Sequence, residues 1–300
     1  MARFCLCFLV VSLVINTDPA PGQENELPLI TVGIVADVQY SDADNRGSRY
    51  YRSSPAKLRE AMSVFRTENV DFIINLGDLI DNDFDSFKPL SCIINESRIP
   101  FYSVMGNHDF SVKDCYKAKI DSVLNHSNRY YSMLRSDWRF IFLDGTDISL
   151  YANGKNSSDY KLARSILDSL EGSGSPNAFD WNGGIGRDQT GWLVQHLNEA
   201  ENSDENVVVL CHFPVFPDNQ AENLWNAGEI KKILEEYKGR LILMNGHTHQ
   251  SGSVQNNGVW YVSLRGMVEK EENSFAIAEF YGDSVFIRGY GAEKSTSVCW

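Results

Sequence analysis

Five short apolar runs, each leading directly into Asp, Asn, Gln or His, constrain this chain more than any other feature of it. They are PLITVGIVA (28–36), VDFIINLG (70–77), IPFYSVMG (99–106), NVVVLCH (206–212) and RLILMNG (240–246). Each is rich in Val and Ile and nearly continuously apolar, as strands covered on both faces are. Amphipathic helical segments lie between them. Ser54-Pro55 ahead of AKLREAMSVF reads as a cap and a first-turn proline. RDQTGWLVQHLNEAEN (187–202) sets Trp192, Leu193, His196 and Leu197 on overlapping turns of one face. From Val254 to Gly291 the pattern changes to hairpin strands, with NNG and YGD as turns. Alternating strands and helices followed by hairpins predict an α/β fold of layered sheets with helices outside. No repeat or compositional break divides the chain, so a single domain is expected over 23–300.

In an open α/β sheet, sites form beyond the carboxyl ends of the strands, and here those ends carry chemistry. The first run reaches Asp37 and Gln39, which an extended backbone would point to one face. The second reaches Asp78, the third Asn107, His108 and Asp109, the fourth His212, and the fifth His247 and His249. Any one of these is ordinary turn chemistry on its own. Together they set seven oxygen and nitrogen donors on one sheet edge: Asp37, Gln39, Asp78, Asn107, His212, His247 and His249. Three of the clusters follow a Gly, which lets the backbone turn sharply and approach closely. Seven donors exceed what one tetrahedral ion needs and suit two divalent ions sharing Asp78. Asp37, Gln39, Asp78 and His249 would hold one ion, and Asp78, Asn107, His212 and His247 the other. A neutral amide at Gln39 leaves the site a surplus of positive charge, which attracts phosphate and favours a deprotonated bridging water.

Net charge and the N-terminus narrow the partners. A formal charge of −13 with no basic patch argues against nucleic-acid binding. An acidic protein still handles phosphorylated substrates when bound cations supply the local charge. Arg3 followed by the apolar run Phe4–Ile15, broken only by Ser12, is too short to span a bilayer and suits a signal-peptide core. Ala20-Pro21-Gly22 offers small residues for cleavage before Gln23, so residues 1–22 read as a signal peptide and the protein as secreted or periplasmic, without stable membrane insertion. Cleavage leaves Cys92, Cys115, Cys211 and Cys299, which permit three pairings; Cys211, ending an apolar run, reads as a buried free thiol as readily as a bridge. Asn95, Asn125 and Asn156 stand in sequons that a eukaryotic secretory pathway would use.

The motifs D-x-[HQ], GD-x-x-D, GNH[DE], a lone His after a strand, and GH-x-H together resemble the calcineurin-like metallophosphoesterases. Gln39, RGSRYYR (46–52), WNGGIGRDQTGWL, HFPVFPD and GHTHQSG…VWYVSLRGMVE resemble more closely the manganese-dependent ADP-ribose/CDP-alcohol diphosphatases. The resemblance implies a four-layer α/β/β/α sandwich with two mixed sheets and outer helices. It also implies two bound ions, manganese first, although the donors suit Fe, Zn, Co or Mg too. The implied substrates are small nucleotide-type molecules, ADP-ribose, CDP-choline or CDP-glycerol, cleaved at the pyrophosphate bond. The chain departs from that family in its export signal and in shorter loops around 150–180, where specificity is commonly set.

The expected reaction is in-line attack on phosphorus by a hydroxide bridging the ions. His108, one residue past a ligand, is expected to protonate the leaving group, with Asp109 fixing its ring. Arg46, Arg49, Tyr50 and Arg52 are candidate substrate contacts, an Arg fork for a second phosphate and a Tyr for a base or ribose, or else a solvated loop. Trp181, Trp192 and Trp225 read as core or rim packing. Competing readings are another exported phosphodiesterase, phosphomonoesterase or nucleotidase on the same site, and a catalytically silent binding protein of the same fold.

Overall fold

The computed structural model describes residues 27–300; the expected signal peptide lies outside the described residues. The five apolar runs all become strands. β1 (Ile30–Val35), β2 (Phe72–Asn75) and β3 (Phe101–Ser103) lie parallel, connected through α1 (Ser54–Thr67) and α2 (Phe87–Ser97). The short helices α3 (Asp114–Lys117) and α4 (Ile120–Val123) lead to a hairpin of β4 (Tyr131–Arg135) and β5 (Trp138–Phe142). After α5 (Ser158–Ser173) and α6 (Arg187–Asn202), β6 (Asn206–Leu210) runs parallel to β5, and α7 (Ala227–Glu236) returns the chain to β7 (Leu241–Asn245). β8 (Gly252–Asn256), β9 (Val259–Ser263), β10 (Ser274–Phe280), β11 (Ser284–Gly291) and β12 (Thr296–Cys299) complete the described chain.

Two mixed six-stranded sheets result, ordered β12-β11-β10-β1-β2-β3 and β4-β5-β6-β7-β9-β8. The period-2 alternation of strand side chains explains their stacking. Ile30, Val32 and Ile34 meet Phe140, Phe142, Val208, Leu210, Ile242 and Met244 between the sheets. Val35 and Ile73 face the opposite way, under Leu58, Phe65, Leu90 and Ile93 of α1 and α2. On the second sheet Val207, Val209 and Leu243 sit under Leu193, Leu197, Ile230 and Leu234 of α6 and α7. The layers are therefore helix, sheet, sheet, helix. Each fully buried aliphatic side chain in them contributes about 1.5–3 kcal/mol.

The tail differs from one continuous meander. β8 and β9 pair around Asn257-Gly258, whose φ values of 48° and 86° give the mirror-image turn suited to a hairpin. That hairpin closes the second sheet, whereas β10, β11 and β12 complete the first. The chain crosses between sheets through residues 264–273, and this crossing runs past the ends of β1 and β7. α1 also starts at Ser54 rather than after it, and Ser53 Oγ donates back to the Tyr50 carbonyl at 2.6 Å. All four cysteines among the described residues are unpaired thiols, with Cys211 buried and the other three exposed. No helix among the described residues is long and apolar enough to cross a membrane.

Candidate active site

The carboxyl ends of β1, β2, β3, β6 and β7 meet at one rim, where the seven donors form a contiguous network. His249 Nε2 lies 3.3 Å from Asp37 Oδ1 and 3.2 Å from Gln39 Nε2. Gln39 Nε2 donates to Asp78 Oδ2 at 3.1 Å. Across Asp78, His212 Nε2 lies 3.2 Å from the same oxygen, 3.3 Å from Asn107 Oδ1 and 3.1 Å from His247 Nδ1. The contacts fall into two groups, Asp37–Gln39–His249 and Asn107–His212–His247, and Asp78 touches both. Asp78, His212 and His247 on their own offer ligand atoms within 4.8 Å of one another.

The backbone is bent to reach this arrangement. Asp37, Gln39, Asp78, His247 and His249 have φ values of 49°, 41°, 55°, 66° and 55°, in the left-handed region. Non-glycine residues there cost about 1 kcal/mol or more each and persist where surrounding structure over-determines them. Simple strand alternation therefore does not bring Asp37 and Gln39 together, because β1 ends at Val35 and both residues lie in a turn. Hydrogen bonds from neighbouring strand ends hold it. The Gln39 amide donates to the Asp78 carbonyl at 2.9 Å, the Val268 amide to the Asp37 carbonyl at 3.0 Å, and the His247 amide to Asp37 Oδ2 at 3.1 Å. The glycine before each cluster leaves room for its neighbour: a Cβ on Gly106 would lie 2.1 Å from Asp78 Oδ1, and one on Gly246 would lie 2.6 Å from Asp37 Oδ2.

Each imidazole is oriented by its outer nitrogen, as metal-ligating histidines are. His212 Nδ1 bonds the Leu76 carbonyl at 2.7 Å, His247 Nε2 meets Asn182 Oδ1 at 3.2 Å, and His249 Nδ1 meets Glu269 Oε1 at 2.7 Å. Burial opposes charge on His212, but Asp78 and Asp37 outweigh it and hold the ring up to about 9; Asp37 and Glu269 do the same for His249. His247, buried beside His212, is pushed well down. Asp78 is held well below the usual carboxylate range: burial raises it, but His212 and His108 win.

These residues fit divalent cations. Gln39 Oε1 is buried without a partner, while its Nε2 sits against Asp78 and His249. Turned over, the amide presents that oxygen to the same spot. A cation between His212 Nε2, His247 Nδ1 and Asp78 Oδ2 would satisfy all three, and mixed carboxylate, amide and imidazole donors suit divalent metals.

His108 stands beside this network. Its amide donates to Asp78 Oδ1 at 2.8 Å, and its Nδ1 lies 2.9 Å from the Asp81 carbonyl and 3.2 Å from Asp81 Oδ1. Burial lowers its pKa, but Asp78 and Asp81 raise it further. The carboxylate expected to fix this ring, Asp109, does not do so. Asp109 is fully buried and accepts from the backbone amides of Asp78, Leu79 and Gly106 at 3.1, 2.8 and 3.0 Å, pinning the turn after β2 to the turn after β3. Burial and the adjacent Asp78 push its carboxyl up to about 7.

The network opens into a cavity of about 690 Å³ whose walls include Gln39, Asp78, Asn107, His108, His247 and His249. Of the four proposed substrate contacts only Arg49 lines it, 4.0 Å from Glu269. Arg52 turns outward to Asp42, at 2.6 Å, and to Asp44. Arg46 pairs along the backbone with Arg49, and the Tyr50 amide donates to the Val268 carbonyl at 2.8 Å, so this loop zips onto the crossing segment instead of presenting a fork of side chains. Beneath it Lys57 Nζ donates to the carbonyls of Met267 and Lys270 at 2.8 and 2.6 Å, and burial lowers its pKa to about 8. The crossing adds wall residues that the sequence reading passed over, Arg265, Glu269 and Lys270. Trp181 forms part of the rim, 42% exposed and stacked on Phe179 at 4.0 Å between ring centroids. Trp225 is buried, and Trp192 packs on Tyr130 and His196.

A site of this kind at the ends of two stacked mixed sheets defines a class, and residues 30–251 match the calcineurin-like phosphoesterase family. The chain belongs to that family and is a metal-dependent phosphohydrolase. Its relatives include proteins named manganese-dependent ADP-ribose/CDP-alcohol diphosphatase. The one from Xenopus tropicalis is 28% identical over 91% of this chain and 95% of its own length. The one from Arabidopsis thaliana is also 28% identical, over 92% and 98%. A dimetal phosphatase from Danio rerio has the same fold, with a TM-score of 0.83 and 24% identity over 91% of this chain and 99% of that one.

Proposed function

We propose that this chain is a manganese-dependent hydrolase of nucleoside diphosphate derivatives, cleaving the pyrophosphate bond of ADP-ribose and CDP-alcohols. The observation that carries the reading is the convergence of Asp37, Gln39, Asn107, His212, His247 and His249 on Asp78 at the floor of a cavity whose walls carry Arg49, Arg265 and Lys270 beside Glu222 and Glu269. The names of relatives that align over nine-tenths of the chain support the substrate class. Cations held at these donors supply the charge that draws a phosphate and acidifies water. The protein's own groups do the rest. His108 is held at Nδ1 by Asp81, and Asp78 and Asp81 raise its pKa against the lowering effect of burial, which leaves Nε2 to protonate the departing oxygen. Glu269, Asn182 and the Leu76 carbonyl keep the imidazoles aimed inward. Trp181 offers an aromatic face at the mouth for a base. The N-terminal pattern supports export, with mature protein starting at Gln23.

The test is a panel of ADP-ribose, CDP-choline, AMP and p-nitrophenyl phosphate with Mn²⁺ or Mg²⁺. The reading expects the diphosphate diesters to be cleaved to a nucleoside monophosphate with the highest kcat/KM, and with Mn²⁺ preferred. Preference for AMP or the monoester overturns the substrate assignment.

A further inference from the structure

We propose that Arg265 is the residue that makes this site select a diphosphate over a monophosphate, by gripping the phosphoryl group next to the one attacked. The proposal rests on the substrate reading above and deepens it. Two arginines and one lysine line the cavity, Arg49, Arg265 and Lys270. Arg49 already faces Glu269 at 4.0 Å, and Lys270 is exposed at the outer edge. Arg265 differs from both. Its Nε is buried and has no hydrogen-bond partner, and among the described residues no carboxylate lies within ion-pair distance of its guanidinium, although Glu293 acts on it from farther off.

A buried guanidinium N–H without an acceptor is costly unless something arrives to satisfy it. A planar fork of donors on a permanent charge matches a phosphoryl group in geometry and sign. The position is also preorganised. The Arg265 amide donates to Glu293 Oε2 at 2.7 Å, and Glu293 is itself buried and also accepts from the Lys294 amide at 2.9 Å. On its other side Gly266 lies against the metal-ligand cluster, where a Cβ would come within 3.0 Å of His249 Cγ and 3.1 Å of Asp37 Cβ. Arg265 is therefore one residue from the cluster yet makes none of its contacts. A phosphoryl group gripped there would be a neighbour of, and distinct from, one held at the metal-ligand cluster.

The experiment is calorimetric binding of α,β-methylene-ADP and of AMP to the manganese-loaded full chain, wild type and Arg265→Ala, with Arg265→Lys as the second variant. Wild type should prefer the diphosphate. Arg265→Ala should reduce that preference about ten- to a hundredfold, the size of a hydrogen bond to a charged group, and Arg265→Lys should retain part of it. Steady-state kinetics on ADP-ribose should show the loss mainly in KM. If wild type prefers the diphosphate and Arg265→Ala keeps the full preference, the Arg265 assignment is overturned while the substrate reading stands. If wild type shows no preference and cleaves no diphosphate diester, both are overturned.

Discussion

Glu269→Gln is expected to weaken metal binding about tenfold without removing any metal ligand. Glu269 Oε1 lies 2.7 Å from His249 Nδ1, and that hydrogen bond is the main reason its carboxyl is held down to about 2 from an ordinary 4.5. At roughly 1.4 kcal/mol per tenfold ratio, the difference corresponds to about 3 kcal/mol of net stabilisation of the carboxylate, with His249 the largest contributor and Ser48 and Arg49 adding to it against burial. A cation at His249 Nε2 presents comparable charge to the same carboxylate. Glu269 lines the open cavity, where solvent screens the pair, so about half of this, ~1.5 kcal/mol, is retained, or tenfold in affinity. Gln preserves the shape and loses the charge. Titrating apo protein with Mn²⁺ by calorimetry, alongside activity as a function of free Mn²⁺, reads the effect. Affinity at one site should fall about tenfold, and saturating Mn²⁺ should restore most of kcat. A loss of kcat at saturating metal with unchanged Mn²⁺ affinity would refute the reasoning and place Glu269 on the substrate. The sign with pH follows from the depressed carboxyl. Its contribution to stability is complete above the unfolded value of 4.5 and disappears as the pH falls through about 2, so wild type and variant should converge on acidification in urea unfolding.

Asp81→Asn should lower the His108 pKa that Asp81 helps to raise, so the alkaline limb of kcat moves to lower pH; an unmoved limb would mean that another group is the proton donor. Asp109→Ala strands the amides of Asp78, Leu79 and Gly106 and should lower unfolding free energy by about 2 kcal/mol or more; unaltered stability with a reduced kcat would point back to a catalytic role. Trp181→Ala should raise KM for nucleotide substrates about three- to tenfold, the range of aromatic stacking, while leaving thermal stability within about 0.5 kcal/mol.

Features written locally in the chain were legible in the sequence, and features created by long-range crossings were not. Asp78, Asn107, His212 and His247 each follow directly on a strand whose apolar run is plain, so fold class alone puts them on one edge. Glu269, Asn182 and Arg265 have no such signature. Glu269 and Arg265 reach the cavity because the chain passes from β9 in one sheet to β10 in the other, and nothing within either hairpin declares that passage. Asp109 misled by adjacency: His108–Phe110 is one turn of 3₁₀ helix, where successive side chains diverge by about 120°, so the residue next to His108 points into the backbone of a neighbouring turn. Asp81, a full loop earlier, takes the place beside the ring. The loop at 46–52 is split for a similar reason, since pairing with residues 268–270 fixes its backbone and sends Arg49 inward and Arg52 to Asp42. β4 is an edge strand whose residues are all half-buried or exposed, which leaves little apolar pattern to read, whereas β5 carries a buried apolar run as plain as those of the five strands above.

Manganese anomalous scattering from crystals grown or soaked with the ion tests the central claim most directly. Two peaks per chain, about 3.5–4 Å apart, should appear with Asp78 between them, Asp37, Gln39 and His249 around one and Asn107, His212 and His247 around the other. A single peak, or peaks that leave either group of side chains uncoordinated, would contradict the assignment of these seven residues to a dinuclear site.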